Sequence, residues 1–456
     1  MASSLLKNVF PGRFPASVAS RPRKIPALDA WILRDAVPAS PGSLSFQQAA
    51  RPVLARSLAR RRCARGGIDA LSLLLVMLLL AGCRQVADST ENDNARDPVT
   101  GMLQGDTAGF AVADRVRPFV FPRDHGPHRA FRTEWWYFTG HLEAADGRRF
   151  GFQYTVFRQA IAPPSGARDE PAVTGANGDV RSAWRTDTAW LAHMAVTDMS
   201  VNEMAGDAHV GVARIARDAL GLGGARMTPD GRLALDVDGW RLRRAADGEF
   251  SIAAEGTGEP GLRLRLRPVS EPLLQGEQGL SRKGPASASY YFSIPRLEVV
   301  GELRNAGGEW IAVRGGAWID REWSTSALAP EQVGWDWFSL SLDDGSDLML
   351  FRLRRRDGTP DPFDAGTLRR AGVTTSLRAG DFSVQPLAWW EDERGRRWPV
   401  RWVVQVARPA VRLEVEAVVQ DQLMRVGLEY WEGAVDVRGD VRGRGYLEMT
   451  GYPPSR

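Results

Sequence analysis

Cysteine is almost missing from this chain of 456 residues, which has only Cys63 and Cys83. Both lie within the first 83 residues, so the rest of the chain has no thiol and no disulfide bond can stabilise it. The fold must therefore depend on an apolar core. At 43% hydrophobic residues, the chain is long enough and apolar enough to form one large domain or two smaller ones.

Motifs for several kinds of chemistry are missing too. The chain has five histidines, and none has the spacing of a HExxH or His/Cys zinc site, so we expect no metal. No Gly-x-Ser-x-Gly elbow, Walker A loop or dinucleotide fingerprint occurs in a fitting context, and we expect no cofactor.

The basic charge is confined to one end of the chain. Residues 1–82 hold 12 Lys/Arg and 3 Asp/Glu, which leaves 47 basic and 52 acidic residues in the remainder. The surplus therefore gives no support to nucleic-acid binding.

Only one long apolar run occurs, ALSLLLVMLLLA at 70–81, and arginines at 56–65 precede it. About a dozen residues suit a signal peptide better than a membrane span. The run ends in LAGC, which resembles a bacterial lipobox and predicts a lipid on Cys83; the alternative is a buried helix with a chance cysteine. We interpret 1–83 as an extended start plus a lipoprotein signal peptide, and the polar residues 84–108 as a flexible tether.

Lipid on Cys83 predicts attachment to a membrane surface. Because Arg84 rather than aspartate follows the cysteine, we expect a periplasm-facing lipoprotein of the bacterial envelope, on the outer rather than the inner membrane.

From residue 109 onward, short alternating segments bounded by turn residues dominate. WYFTGHLEAADGRRFGFQYTVF predicts a hairpin around Ala-Asp-Gly, and LRLRLRP at 262–268 alternates strictly. Without βαβ alternation, such a pattern predicts an all-β fold of antiparallel barrels or a sandwich. We place one domain at 109–328 and a second at 329–456.

Three segments depart from this pattern. Residues 209–221, HVGVARIARDALG, carry weak support for a helix. The stretches 162–184 and 269–287 are rich in Gly, Pro, Ser and charge and predict surface loops.

FRTEWWYFTGH at 131–141 places a carboxylate beside three aromatic rings. Alternate side chains of a strand share a face, which gives two sets: Glu134, Trp136 and Phe138, and Trp135, Tyr137, Thr139 and His141. A buried carboxylate either finds a partner such as Arg132 or Arg158, or carries a raised pKa and serves as an acid. The pattern leaves both readings open for Glu134.

WIDREW, at 318–323, also places carboxylates beside aromatic residues. Asp320 and Glu322 share a face with Trp318, their carboxyl groups roughly 6–7 Å apart along a strand. Such a pair suits acid–base chemistry, including glycoside hydrolysis. The alternative is a set of ion pairs with Arg314, Arg321 or a neighbouring strand.

Two further positions carry weaker signals. GWDWF places Asp336 opposite Trp335 and Trp337, where a structural role is equally open. His193, in WLAHMAVTD, is either a ligand-binding residue or a strand histidine bonded to a carbonyl or carboxylate.

Several segments together resemble one family. They are FPRDHGPHRAFRTEWWYFTGHL, FGFQYTVFR, SASYYFSIPRL, GGAWIDREW, GWDWFSLSLDDGSDLMLFRLR, YWEGAV and GRGYLEMTGY, in order across about 110–452. The match is to the AttH and hydroxyneurosporene synthase (carotenoid 1,2-hydratase) family, whose fold is two antiparallel lipocalin-like (calycin) barrels packed side by side. One branch hydrates acyclic carotenoids, and another consists of lipoproteins associated with ABC-type permeases.

The resemblance also implies residue roles. The hydratases carry a histidine in a DHxW stretch; here Asp320 and Trp323 match, but Arg321 occupies the histidine position, and a guanidinium is no general acid near neutral pH. That departure and LAGC favour the lipoprotein branch.

Three functions follow from these patterns. The first is a membrane-anchored protein that binds a hydrophobic or amphipathic lipid-like ligand and serves an ABC-type envelope transport system. The second is a hydro-lyase with Glu134, Asp320 and Glu322 as candidate catalytic groups; the third is carbohydrate chemistry. The candidate ligand-binding residues are Trp135, Trp136, Tyr137, His141, His193, Tyr290, Tyr291, Trp318, Trp323, Trp335 and Asp336.

Overall fold

The computed structural model describes residues 107–164, 186–201, 208–326 and 328–453, which lie in one compact unit, Ser89–Arg456. The predicted signal peptide, Cys83, most of the predicted tether and most of the 162–184 loop lie outside these ranges. Within them, no helix has the length and apolar character that crossing a membrane requires.

The first half of the described chain forms one antiparallel sheet. Its strands are β1 Thr133–Ala144, β2 Arg149–Ala160, β3 Thr188–Asp198, β4 His209–Arg217, β5 Gly223–Met227, β6 Leu233–Val237, β7 Trp240–Arg244, β8 Phe250–Ala254, β9 Gly261–Pro268, β10 Leu273–Leu274, β11 Leu280–Arg282, β12 Ala288–Arg304 and β13 Trp310–Ser326. Their order is β4-β3-β2-β1-β13-β12-β9-β8-β7-β6-β5, and β10 and β11 also pair with β12. We call this curled sheet barrel 1.

The second half forms another antiparallel sheet, barrel 2. Its strands are β14 Gln332–Leu342, β15 Asp347–Arg355, β16 Ala365–Arg370, β17 Val373–Arg378, β18 Phe382–Glu391, β19 Arg397–Val406, β20 Val411–Ala417, β21 Leu423–Val426, β22 Leu428–Gly439 and β23 Gly443–Met449. Their order is β17-β16-β15-β14-β23-β22-β20-β19-β18, with β21 on β22. The chain changes sheet between Ser326 and Gln332, and the predicted all-β architecture is confirmed.

Each barrel has its own apolar interior. In β9 the burial alternates as the sequence does: Leu262, Leu264 and Leu266 are buried, and the arginines between them are exposed. Burying these leucines stabilises the sheet by about 1.5–3 kcal/mol per side chain.

The predicted helix at 209–221 is wrong. His209–Arg217 is strand β4, which pairs with β3, and only Asp218–Leu220 turns as a short 3-10 helix. Val210, Val212 and Ile215 are β-branched, and the ladder to β3 outweighs the weak helical pattern.

The predicted surface loop at 269–287 is also wrong in part. It contains β10 and β11, both paired with β12, and it buries Leu273, Gln275 and Leu280. The segment was predicted as a loop because its composition is polar, but it packs against barrel 1.

The outer face of β1 and β2 packs against β22 and β23, which joins the barrels. Arg149 forms an ion pair with Asp436 at 2.7 Å, and His141 Nε2 lies 2.9 Å from the carbonyl oxygen of Gly445. Strand β1 is therefore buried on both faces, and such strands have continuous apolar runs. This explains the unbroken aromatic run at residues 135–138.

Candidate functional site

A cavity lies between the two barrels. It holds about 970 Å³ of free space including its mouth, of which about 100 Å³ admits the centre of a water molecule, so it is narrow. Its lining is mainly aromatic and aliphatic with a few polar groups, as in sites for small molecules. The lining residues are Thr133, Trp135, Tyr137, Thr155, Phe157, Lys283, Tyr291, Asp320, Glu322, Leu328, Trp335, Trp337, Phe351, Leu353, Tyr430, Glu448 and Thr450.

Asp320, on β13, is a buried carboxyl group in this cavity. Its oxygens accept hydrogen bonds from Tyr291 Oη at 2.5 Å, Ser293 Oγ at 2.5 Å and Trp318 Nε1 at 2.7 Å. No lysine or arginine of the described residues forms an ion pair with it. Burial raises the pKa of Asp320 to about 7; the three hydrogen bonds oppose this rise, and the nearby charge of Glu322 adds to it.

Tyr291 connects Asp320 to the far wall of the cavity. Its hydroxyl donates to Asp320 and accepts a hydrogen bond from Trp337 Nε1 of barrel 2 at 3.0 Å. Burial, with the negative charge of Asp320, raises the pKa of Tyr291 well above its ordinary value. The hydroxyl therefore stays protonated and orients the carboxyl group.

Glu322, two residues further along β13, forms an ion pair with Nζ of Lys283. The same ammonium lies 5.5 Å from the ring centre of Phe351, 5.8 Å from that of Tyr291 and 5.9 Å from that of Trp135. Asp320 and Glu322 thus share a face, as the sequence predicts, but only Glu322 has a cationic partner.

Barrel 2 contributes a second pair of carboxyl groups. Glu432 on β22 and Glu448 on β23 are direct partners across the sheet. Tyr137 Oη donates to Glu432 at 2.7 Å, and Trp335 Nε1 donates to Glu448 at 2.8 Å. Burial raises the pKa of Glu448 to about 7 and that of Glu432 well above its ordinary range, the latter also because Glu448 is adjacent.

His193 lies behind the cavity wall rather than in it. Its Nδ1 is 2.9 Å from the hydroxyl of Tyr430, and that tyrosine lines the cavity. Burial lowers the pKa of His193 to about 4, so the ring is neutral near pH 7. The hydrogen-bond partner of His193 is thus a tyrosine hydroxyl, whereas the sequence suggested a carbonyl or carboxylate.

Glu134 belongs to a different cluster, on the barrel 1 side of β1. Arg158 and Arg321 both form ion pairs with it, the latter at 2.9 Å, and the backbone N–H of His128 donates to it. Burial would raise the pKa of Glu134, but the charge of Arg158, a hydrogen bond with the His128 side chain and the charge of Arg321 hold it well below its usual range. Glu134 is a paired structural anion.

Arg321 points into barrel 1 and away from Asp320. Its guanidinium lies 3.9 Å from the ring centre of Trp136, and its Nη1 donates to the carbonyl oxygen of Trp135 at 2.6 Å. Trp136 and Trp323 belong to the interior of barrel 1, where His128 stacks on Trp323 with ring centres 3.6 Å apart. The position that matches the hydratase histidine is thus on the opposite face of β13 from the cavity.

The remaining predicted residues lie elsewhere. Asp336 accepts hydrogen bonds from Arg352 and from Tyr452 Oη. Tyr290 Oη donates to the carbonyl oxygen of Arg115 at 2.9 Å, on the barrel 1 side. His141 contacts barrel 2 through Gly445, outside the cavity lining.

Several residues of the site were not singled out from the sequence: Lys283, Tyr430 and Glu448, which line the cavity, and Glu432, which lies beside Glu448. Lysine occurs only at positions 7, 24 and 283, and every other basic residue is arginine. This scarcity was a usable signal for Lys283. Glu432 and Glu448 sit among aromatic residues in YWEGAV and GYLEMTGY, as Glu134 does in its own motif.

No group of three His, Cys, Asp or Glu side chains in the described parts of the chain is placed to hold a metal ion. Direct acid–base chemistry and hydrogen bonding are what this arrangement of carboxyl groups and tyrosines can provide.

Residues 112–452 match the sequence model of the AttH-like family. A Nitrosomonas europaea protein assigned to AttH, known from a crystal structure, is 34% identical; the alignment covers 75% of this chain and 100% of that one, with a TM-score of 0.65. Kievitone hydratase from Nectria haematococca is 14% identical over 74% of this chain and 94% of its own, with a TM-score of 0.53, which is a likeness in fold. No curated protein has a significantly similar sequence. The two barrels have the predicted lipocalin-like form, and the chain belongs to the AttH-like family.

Proposed function

We propose that the protein binds a mainly apolar small molecule between its barrels and, as a hydro-lyase, transfers a proton to or from it through Asp320. One observation carries the proposal: Asp320 is buried in an aromatic cavity, is held by three neutral donors and by no cation among the described residues, and has a pKa raised by burial to about 7. A general acid is most effective when its pKa lies near the working pH.

Hydration of a carbon–carbon double bond fits these groups. Asp320 gives a proton to one carbon, the neighbouring carbon becomes a cation, and water adds to it and releases a proton. Aromatic faces stabilise such a cation, and Trp135, Trp335 and Trp337 line the cavity. The net change is the addition of one water, and dehydration is the same path reversed.

The relatives support this class of reaction in a limited way. Kievitone hydratase is a hydratase by name and has this fold, while the motif around Asp320 and Trp323 resembles that of carotenoid hydratases. Arg321 does not weaken the proposal, because its side chain faces the interior of barrel 1.

The test measures incorporation of oxygen-18 from labelled water into the hydrated product, with lycopene and kievitone as the first two substrates. We expect wild type to incorporate the label, and Asp320→Asn to lose about a hundredfold or more in rate. Asp364→Asn is the matched control: burial also raises the pKa of Asp364 to about 7, but this residue does not line the cavity. Equal rates in wild type and Asp320→Asn would refute the role of Asp320.

Binding without chemistry is the second candidate. It is favoured by the ion pair of Lys283 with Glu322, because a carboxylate held by an ammonium is a weaker proton acceptor. In this form the protein would be a lipid-anchored binding protein of the envelope that passes an amphipathic ligand to an ABC-type permease.

Lys283 offers a direct assay of binding. A chain that begins at Gly109 has Lys283 as its one lysine, so an amine-selective reagent modifies it and the N-terminus alone. A ligand in the cavity should slow modification of Lys283 and leave that of the N-terminus unchanged. Protection without turnover would favour the binding protein; turnover that depends on Asp320 would exclude it.

A further inference from the structure

The carboxyl pair of barrel 2 has no part in the acid step. Glu448 lines the same cavity as Asp320, and Glu432 lies next to it across the sheet. Glu432 is fully buried, and Glu448 keeps some accessible surface because it opens on the cavity. Asp320 comes from β13 of barrel 1 and Glu448 from β23 of barrel 2. The two groups thus belong to different walls, one on each barrel.

No arginine or lysine of the described residues forms an ion pair with Glu432 or Glu448. Glu432 Oε1 accepts from Tyr137, whereas its buried Oε2 makes no hydrogen bond outside the pair. Two adjacent carboxylates without a cation repel each other, and such pairs relieve the repulsion by holding one proton between them.

We propose that Glu448 is the second catalytic residue, which takes the proton released by the water that adds, and that Glu432 is a positioning residue that shares a proton with it. This assignment rests on the proposed hydration. In the balanced step, Asp320 loses a proton to the alkene carbon, water oxygen bonds to the cation, and Glu448 gains the proton that the water gives up. Transfer of that proton back to Asp320, directly or through solvent, restores both groups.

Other groups around the pair set its titration. Burial raises the pKa of Glu448; hydrogen bonds from Trp335 and Glu432 lower it, the charge of Glu322 raises it, and that of Lys283 lowers it. The titratable or charged groups that face the pair are Tyr137, Lys283, Asp320, Glu322, Tyr430 and Tyr446.

The shared proton is measured without any substrate. Infrared difference spectra of the full chain across neutral pH should show the carbonyl stretch of a protonated carboxyl group, and Glu432→Gln and Glu448→Gln should each remove intensity from it. Glu414→Gln is the control, since Glu414 is a surface residue paired with Arg401. Spectra of both pair variants that match wild type would overturn the shared proton.

The catalytic role is measured by turnover. Glu448→Gln should lose about a hundredfold in rate. Glu432→Gln should shift the pH profile, because Glu448 loses its proton-sharing partner, and should lower the rate less than Glu448→Gln does. Turnover by Glu448→Gln within twofold of wild type, while Asp320→Asn is inactive, would refute Glu448 as the base but leave the proposed hydration intact. If wild type itself has no turnover, the hydration and the role of Glu448 both fail, and the infrared result still decides whether the pair shares a proton.

Discussion

Glu134 and Asp320 lie on neighbouring strands, β1 and β13, yet their neighbours give them opposite charge behaviour. Two guanidinium groups hold the pKa of Glu134 well below its usual range in spite of burial. In the described part of the chain the donors to Asp320 are all neutral, so burial prevails and raises its pKa to about 7. The charged partners that packing places beside a buried carboxyl group therefore decide whether its pKa is lowered or raised.

Asp320→Asn should change stability in a way that depends on pH. An unfolded aspartate has a pKa of about 3.9, whereas Asp320 in the folded protein keeps its proton up to about pH 7. Between these pH values only the unfolded state releases the proton, so the wild type loses stability as pH rises. The asparagine variant has no such loss. Its free energy of unfolding relative to wild type should therefore increase over this interval, by about 1.4 kcal/mol per pKa unit, in urea titrations at several pH values. A constant difference would contradict the raised pKa.

Glu134→Gln should show the opposite trend. The folded-state pKa is lowered, so the stability that Glu134 contributes is present above its unfolded pKa and is lost as pH falls. Removing the charge leaves Arg158 and Arg321 buried without their anion, which costs about 3–5 kcal/mol near neutral pH. The gap to wild type should narrow below about pH 4 in the same titrations. A variant as stable as wild type at neutral pH would show that the ion pairs are dispensable.

At the scale of single residues, the sequence predicted a partner of Glu134 but not the partners of Asp320. Arg158 is among the partners predicted for Glu134, because the two residues lie on adjacent strands of one hairpin. The alternative of an ion pair between Asp320 and Arg321 does not hold, since strand alternation turns Arg321 to the other face, where it pairs with Glu134. The real partners of Asp320, Tyr291 and Ser293, come from β12, and no local pattern names them.

Strands β1 and β13 each separate two compartments. The predicted alternation of β1 is correct: Trp136 and Phe138 lie in barrel 1, while Tyr137 lies between the barrels. The sequence-based prediction, however, assigned residues from both faces of β1 and β13 to one site. Glu134, Trp136 and Trp323 pack in barrel 1, whereas Trp135, Asp320 and Glu322 line the cavity.

Close approach of the barrels depends on Gly151 of β2. A Cβ atom there would lie 2.7 Å from Tyr446 Oη and 3.0 Å from Ala434 Cβ, both in barrel 2. Gly151→Val should therefore lower the free energy of unfolding by about 1–3 kcal/mol, as overpacking does. Gly224→Val on β5 is the matched control, since a Cβ there meets no atom of the described residues within 4 Å. Urea unfolding of both variants makes the comparison; equal losses would show that strand propensity, not the barrel contact, is responsible.

Across the whole molecule, the architecture was easier to predict than the site. Turn-bounded alternation recurs from residue 109 to the C-terminus and is a local signal, so an all-β fold of antiparallel barrels or a sandwich follows from it. The resemblance to the AttH family adds the two lipocalin-like barrels. The cavity draws Trp135, Lys283, Asp320 and Glu448 from strands and loops that are far apart in sequence. Only the packing of barrel 1 on barrel 2 brings them together, and a single sequence does not record that packing.

Attachment to a membrane is a property of the complete chain, and it stays a prediction that rests on LAGC and the apolar run before it. Acyl chains on Cys83 would contribute about 0.8 kcal/mol per buried CH₂, enough with several chains to hold the barrels at a membrane surface. In a bacterial host, Cys83→Ser should abolish palmitate labelling and move the protein out of the membrane fraction. Cys63→Ser is the matched control: it removes the one other thiol, which would leave with the signal peptide, and should change neither readout. Palmitate labelling of Cys83→Ser at the wild-type level would show that the protein is not anchored through this cysteine.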